Sequence, residues 1–467
     1  RRGPRHLLGR GGVVAPPGGR PRVSVAPLAF VSPLPPVRSG IADYSADLLA
    51  ALREEVELET YAPSEAATAF RRGHGAVLLQ VGNDPLHLPS VEALRENAGR
   101  VPAILVLHDF SLHHLFAAGY LDVARVEDYA RELERSHGAK GRALGDRARA
   151  GERVPVWDLA PWDWPMSLGV VGDAAAVIVH SSLVRGALLR RGVRAPVFEV
   201  PHLVAPAPEH DRADARAALD LPPDRVVAAT LGIVTPAKRI GRLLEGLAIL
   251  PPAERPFLVV GGAVADDDPL RDLVREHGLA GDVRFTGYLA EEDFWRLARA
   301  ADVSVNLRFP TVGETSGAVC RLAGTGLPVV VSDVGWFREL PDSFAAKVPI
   351  GAGEVEAIAA VLGELVRDAG VRRARAAAAA AWGVERSPAR IAAAYARVVR
   401  AVLEGRAPAL ALPSRLAGAL SAVGIGRPGV HGSVERSPDG GLVATAASRA
   451  IGVLPRPLVP FLRTSDA

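Results

Sequence analysis

Glu314 stands directly ahead of Thr315, Ser316, Gly317, Ala318 and Val319, within the run NLRFPTVGETSGAVCRLAGTGLPVVVSD from Asn306 to Asp333. The pattern is a strand end, a short loop and a helix from about Ser316, with Thr315 or Ser316 as its cap. The free N–H groups of Gly317, Ala318 and Val319 would carry the positive end of the helix dipole, which suits a phosphate, and Gly317 admits an anion close to the backbone. Glu314 is then placed to accept hydrogen bonds from sugar hydroxyls. The plainer alternative is a carboxylate that only favours the dipole.

A second run, TLGIVTPAK, ends a strand at Gly232 and brings Lys238 and Arg239 to the start of a helix. Cations there would neutralise a diphosphate leaving group. The alternative is a solvated basic pair, in a place that the dipole disfavours. A third run, PPVRSGIADY, puts Ser39 and Gly40 in a small-residue turn between a strand and a helix. It lacks the GxGxxG dinucleotide fingerprint, and an ordinary turn also favours glycine. In the fourth, VLHDFSLHH, His108 follows a strand, where it can bond a sugar hydroxyl or the charge that develops at a reacting centre. His108, His113 and His114 match no common metal-ligand spacing, and Asp266-Asp267-Asp268 reads as a solvated turn, so no metal site is expected. Trp157, Trp162 and Trp164 offer either a sugar-facing wall or, the favoured reading, packing of their own segment. The single cysteine, Cys320, excludes a disulfide within the chain and reads as a small buried residue.

These residues need strands to hold them. Apolar runs at Val23–Pro27, Val56–Tyr61, Ala76–Val81, Ala103–Leu107, Ala176–His180 and Val197–Val200 alternate with helical segments such as Ala42–Glu55. After a proline-bearing linker at Leu203–Asp211 the alternation restarts with Val226–Leu231, Phe257–Val260, Val283–Thr286, Val303–Leu307, Val329–Ser332 and Ala345–Val348. Strands apolar throughout and separated by helices imply parallel sheets covered on both faces. Two such series give an α/β chain of two doubly wound, Rossmann-like domains, with a ligand crevice at the carboxyl ends of the strands facing an interdomain cleft. The expected division is an N-terminal extension, disordered, over 1–21; a first domain over 22–203 with a helical insertion at about 110–165; a second domain over 204–385; a helix over 386–404; and a loosely ordered tail over 405–467.

With 49% hydrophobic and 23% charged residues the composition is that of a globular protein. A formal net charge of +3 gives no general nucleic-acid-binding surface. No apolar run reaches the roughly 18 residues a membrane span requires, and the first 20 or so residues lack the apolar core of a secretion signal. A cytoplasmic protein is expected, with peripheral contact at the inner membrane face if its substrate is a lipid.

Together SGIADYSADLL, VLHDFSLHH, LGIVTPAKRI and FPTVGETSGAVCRLAGTGLPVVVSDVGWFRELP resemble the retaining GT-B glycosyltransferases of family 4, the group 1 glycosyltransferases, in a bacterial branch. The resemblance runs over about residues 22–404. It implies a nucleotide-sugar donor bound mainly by the second domain, and a carbohydrate or lipid-linked acceptor bound mainly by the first. The sugar is transferred with retention, without cofactor or required metal, in polysaccharide or glycolipid assembly. By the same likeness Gly40 lies near the donor phosphates, His108 near the transferred sugar, Lys238 against the phosphates, and Glu314 against the sugar. The helix after Trp382 crosses back to the first domain. Two positions depart from the pattern. The family's second glutamate, a ribose ligand, falls near Arg321 with the spacing one residue short, and Glu339 is its candidate substitute. Ile233 stands where the family has arginine, and Arg239 is the candidate compensation. A non-catalytic sugar-nucleotide-binding subunit, or an epimerase or hydrolase on the same scaffold, are the alternative functions.

Overall fold

The structure, a computed structural model, describes residues 27–264, 268–405, 432–436, 442–446 and 449–450. The first six strands are β1 (Leu28–Val31), β2 (Leu58–Tyr61), β3 (Ala76–Val81), β4 (Ala103–Leu107), β5 (Ala176–Val179) and β6 (Val197–Glu199). They form a six-stranded sheet in the order β2-β1-β3-β4-β5-β6, and every pairing is parallel. Strands β7 (Val227–Leu231), β8 (Phe257–Gly261), β9 (Val283–Gly287), β10 (Val303–Asn306), β11 (Val329–Ser332) and β12 (Ala345–Val348) build a second six-stranded parallel sheet. Its order is β12-β11-β10-β7-β8-β9. In both, the central strands are apolar on both faces because helices cover both faces: β4 (AILVL) and β7 (VAATL) are buried along their whole length.

Of the expected strand Val23–Pro27, residues 23–26 lie outside the described residues, and the first described strand begins at Leu28, directly after Pro27. The insertion is less regular than a single long helix. It holds short helices at His113–Phe116 and Val156–Leu159, and a long one at Val126–Arg149 that breaks at Gly138 with φ 57° and ψ −135°. The three tryptophans are partly buried and pack against the first domain's core. Of the tail, residues 432–450 include an antiparallel set of short strands, Gly432–Arg436, Leu442–Ala446 and Arg449–Ala450; the rest lies outside the described residues.

The helix Pro388–Leu403 belongs in sequence to the second half of the chain and in space to the first. Ile391, Ala392, Tyr395, Ala396, Val398 and Val399 are its buried face. They pack with Leu28, Phe30, Tyr44 and Leu48 of the first domain. Periodic apolar residues put one stripe of the helix inward, which is why a surface helix docks there. The hydroxyls of Tyr44 and Tyr395 bond at 2.8 Å in this apolar setting, and Arg400 pairs with Glu55 at 3.0 Å on the rim.

Truncating Tyr395 would open a cavity and orphan the Tyr44 hydroxyl. We expect Tyr395→Ala to cost about 3–5 kcal/mol of first-domain stability. Tyr395→Phe should cost only about 1 kcal/mol. Chemical denaturation followed by tryptophan fluorescence reads both, and equal losses would mean that the hydroxyl pair, not the buried ring, dominates.

Candidate active site

The cleft between the sheets is built from the carboxyl ends of β3 and β4 on one side and of β7 and β10 on the other. Glu314 lies in the loop after β10 and is fixed by three neighbours. Its Oε2 accepts from Thr311 Oγ1 at 2.7 Å and from the Val312 N–H at 2.8 Å, while Arg308 Nε lies 3.3 Å from Oε1. Ser316 caps the helix Gly317–Gly324 by accepting from Val319 N–H at 3.3 Å, so the helix begins one residue later than expected and the cap is Ser316 rather than Thr315. The Val319 N–H is therefore engaged by its own cap. A Cβ built on Gly317 would lie 3.7 Å from His202 Nε2, which puts the helix terminus against the imidazoles of the first domain.

Lys238 is buried, and its ammonium donates to the Leu231 carbonyl at 2.6 Å. Burial, reinforced by the positive charge of Arg308, pulls its pKa down to about 7. Gly232 is required beside it: its φ is 99°, and a Cβ there would stand 2.9 Å from Lys238 Nζ. Arg239 is differently employed. It adopts a left-handed conformation and turns to Glu354, a carboxylate 1% exposed, in a two-point ion pair. That pairing leaves Arg308, which sequence reasoning passed over, as the arginine nearest Glu314. Its signal was present in the string: a basic residue just after a buried strand and six residues ahead of a carboxylate in one loop.

On the opposite wall, His108 follows β4 and its Nε2 lies 2.7 Å from Gln80 Oε1. Its ring meets Tyr44 and His180 at 5.0 Å each, and Tyr44 meets His202 at 4.6 Å. Burial, then the neighbouring imidazoles, hold His108 well below the ordinary histidine range, so it works as a neutral ring. Burial takes His180 down to about 4 and His202 to about 3. Asp109 accepts from the Asn83 N–H at 2.7 Å. Burial and then the charge of Glu314 across the cleft push it up to about 7. Asp109, His180 and His202 were not singled out as site residues by the sequence: Asp109 follows the same strand as His108, while His180 and His202 stand after β5 and β6, which only the fold brings beside it.

The remaining expected residues fall into place as follows. Ser39 caps the helix Gly40–Leu52, with Gly40 its first residue and open space where a Cβ would stand. Arg321, at the departure from the family pattern, pairs with Glu291 of the helix Glu291–Ala300 and reaches Asp43 of the first domain at 3.6 Å. Its guanidinium also lies over the rings of Phe294 and Trp295. Glu339 is committed elsewhere. It accepts from Ser182 Oγ at 3.0 Å, Ser182 N–H at 3.1 Å and Leu183 N–H at 2.7 Å, so it caps a helix of the first domain rather than standing free for a ribose. His113 bonds the Trp164 carbonyl and the Tyr129 hydroxyl, and among the described residues no cluster of metal-ligating side chains is found. Asp268 caps the helix Pro269–Glu276, while Asp266 and Asp267 lie outside the described residues. Cys320 is buried, and burial pushes its thiol up to about 12, which makes it unreactive.

Two doubly wound domains that face each other across a cleft, with a helix terminus and a buried lysine on one wall, define the GT-B architecture. Within it, residues 211–382 match the family model "Glycosyl transferases group 1", and this domain belongs to that family. A D-inositol 3-phosphate glycosyltransferase of Mycobacterium sp. (strain KMS) is 38% identical over 130 residues, 27% of this chain and 28% of the relative. That of Streptomyces avermitilis is 34% identical over 191 residues, 35% of this chain and 40% of the relative. The chain thus spans well under two thirds of the curated relatives it matches. Among solved structures, sucrose-phosphate synthase from Thermosynechococcus elongatus superposes with a TM-score of 0.58 at 18% identity, over 81% of this chain and 100% of that one. Anabaena HepE in complex with UDP and glucose gives 0.55 at 15% identity, over 80% and 100%. At these identities the likeness is one of fold.

A phosphate at this cleft should bind best while Lys238 is protonated. The free amine loses its proton near pH 7, and a bound phosphate raises that pKa. Affinity for a nucleoside diphosphate should therefore fall as pH rises through 7, at most about tenfold per unit, as one linked proton requires. Lys238→Arg, whose charge persists, should flatten the fall. Competition binding between pH 6 and 9 tests this, with Asp109→Asn as the arm that removes the other group titrating near 7. An unchanged slope in Lys238→Arg would assign the dependence away from the lysine.

Proposed function

We propose that this chain is a glycosyltransferase that moves a hexosyl group from a nucleoside-diphosphate sugar to an acceptor hydroxyl with retention of anomeric configuration. The observation that carries the reading is Glu314, held rigid between Arg308, Thr311 and its own loop backbone at the mouth of the cleft. A carboxylate fixed in this way is pre-organised to accept hydrogen bonds from the hydroxyls of one sugar in one pose. Lys238, Arg308 and the N–H groups of Gly317 and Ala318 supply the matching positive charge for the diphosphate.

In the proposed reaction the bond from the anomeric carbon to the diphosphate oxygen breaks, and the electron pair leaves with the phosphate. The acceptor oxygen bonds to the same face of the carbon, and its proton passes to the departing phosphate oxygen. The charge that develops on that oxygen is what Lys238 and Arg308 stabilise, with no metal needed in this scheme. His108, kept neutral by its surroundings, orients the sugar without adding charge. The acceptor belongs to polysaccharide or glycolipid assembly in a bacterial cytoplasm. Among the described residues no helix is long and apolar enough to cross a membrane, so contact with a lipid acceptor would be peripheral.

Asp109 supports a second reading. A carboxyl near pH 7 facing Glu314 is the acid–base group that hydrolysis or epimerisation of a sugar nucleotide requires. The two readings differ in whether donor is consumed without acceptor.

A thermal-shift screen against UDP-, GDP-, ADP- and dTDP-sugars should raise the melting point with one nucleotide series. Proton NMR of the product from that donor should show retained configuration. Glu314→Ala should lower turnover on the order of a hundredfold while leaving the melting point close to wild type. Near-normal turnover would remove Glu314 from the mechanism, and no shift with any donor would overturn the donor-binding reading of the cleft.

A further inference from the structure

A cavity of about 520 Å³ lies between the domains behind the Glu314 loop, lined in part by Trp162, Leu183, Arg190, Arg191, Thr311 and Val334. Arg190 and Arg191 are the charged residues of its wall, and no carboxylate lines it. Among the described residues neither arginine makes an ion pair, although arginines elsewhere in the chain commonly do. The acids around the cavity are engaged elsewhere. Glu339 accepts from the Leu183 N–H at 2.7 Å and Glu314 from Thr311 Oγ1 at 2.7 Å, Asp333 is paired with Arg338 at 3.1 Å, and Asp163 acts on Arg191 only at a distance.

Arg191 is nonetheless held in place. It donates to the Trp162 carbonyl at 3.0 Å and to the Ala187 carbonyl at 3.3 Å, and its guanidinium carbon lies 4.9 Å from the Phe110 ring centre. Phe110 in turn stacks on Trp162 at 4.6 Å. Carbonyl oxygens position the guanidinium but leave its charge uncancelled. A fixed arginine, a second beside it and an indole in the same wall are the components that bind an anionic group attached to an apolar ring face. The volume is within the usual range for a small-molecule site.

The cavity also touches the chemistry. Thr311, in its wall, donates to Glu314 Oε2 at 2.7 Å, and the Thr311 carbonyl accepts from Trp162 Nε1 at 2.9 Å. One residue therefore separates the cavity from the carboxylate that holds the transferred sugar.

We propose that this cavity is an acceptor subsite for the anionic group of a sugar, a phosphate or a carboxylate, with Arg190 and Arg191 as its ligands and Trp162 as the ring platform. The proposal rests on the glycosyl-transfer reading above and narrows its acceptor to an acidic carbohydrate. A neutral acceptor would leave the two charges unmatched. A positively charged one would be repelled.

Isothermal titration of the full chain with glucose 6-phosphate, glucuronate and glucose at low salt tests it and separates the phosphate source from the carboxylate source. We expect at least one of the anionic sugars to bind about tenfold or more tightly than glucose, and the preference to fall about tenfold in Arg190→Ala or in Arg191→Gln. The melting-point shift with the nucleotide sugar should be unchanged in Arg190→Ala, since that residue lies outside the donor side of the cleft. The inference is overturned if neither anionic sugar outbinds glucose, or if both variants keep the preference. Failure of the donor reading would appear separately, as absence of any nucleotide shift in the wild-type chain.

Discussion

Burying a lysine against a carbonyl oxygen is costly, and the second domain is arranged around that cost. Lys238 reaches the Leu231 carbonyl because Gly232 has no side chain in the way, and after burial the charge that acts on its ammonium is the repulsive one of Arg308. Such a site is poorly stabilised when empty and well matched by a dianion, since each of its elements favours negative charge at one point. Arg308 extends the same field towards Glu314 and Asp109, so the carboxylates of the cleft are set beside its cations.

Contacts between the domains fix the distance over which that field acts. Ser111 N–H donates to the Val312 carbonyl at 2.8 Å, Trp162 bonds Thr311, and a Cβ on Gly313 would strike Phe110 at 2.4 Å. The insertion of the first domain thus braces the loop that carries Glu314. Glu339 reaches the other way and caps a first-domain helix. The returning helix Pro388–Leu403 completes the link by burying Tyr395 against Tyr44, whose ring also touches His108 and His202. A single aromatic side chain therefore couples the packing of the crossing helix to the imidazole wall of the cleft.

Much of this was legible in the chain. Continuous apolar runs such as AILVL announce strands buried on both faces, and their alternation with helices leaves few other topologies. Glu314 and the helix behind it were readable because cap, glycine and carboxylate are sequence neighbours. The partners of Arg239, Arg321 and Glu339 were not. Glu354 is 115 residues from Arg239, and Ser182 is 157 residues from Glu339. A charged residue's type gives its capacity to pair but not which distant element the fold will bring to it. Strand ends shifted by a residue or two for a related reason: the ladder ends where the partner strand ends, which one string of apolar residues does not record.

The departures from the family pattern form one arrangement rather than separate losses. Arg321 stands where a carboxylate is usual, yet it holds Glu291 and faces Asp43, so negative charge remains at that edge of the cleft, carried on other elements. Burial raises the pKa of Asp43, with Arg321 opposing it and Glu291 adding to it, which marks these groups as electrostatically linked across the domain boundary. Arg239, lost to Glu354, is replaced beside Glu314 by Arg308. In each case the sign of the charge near the cleft is kept while its sequence position moves. What the geometry constrains is the field at the ligand, and several placements of the same charges can produce it.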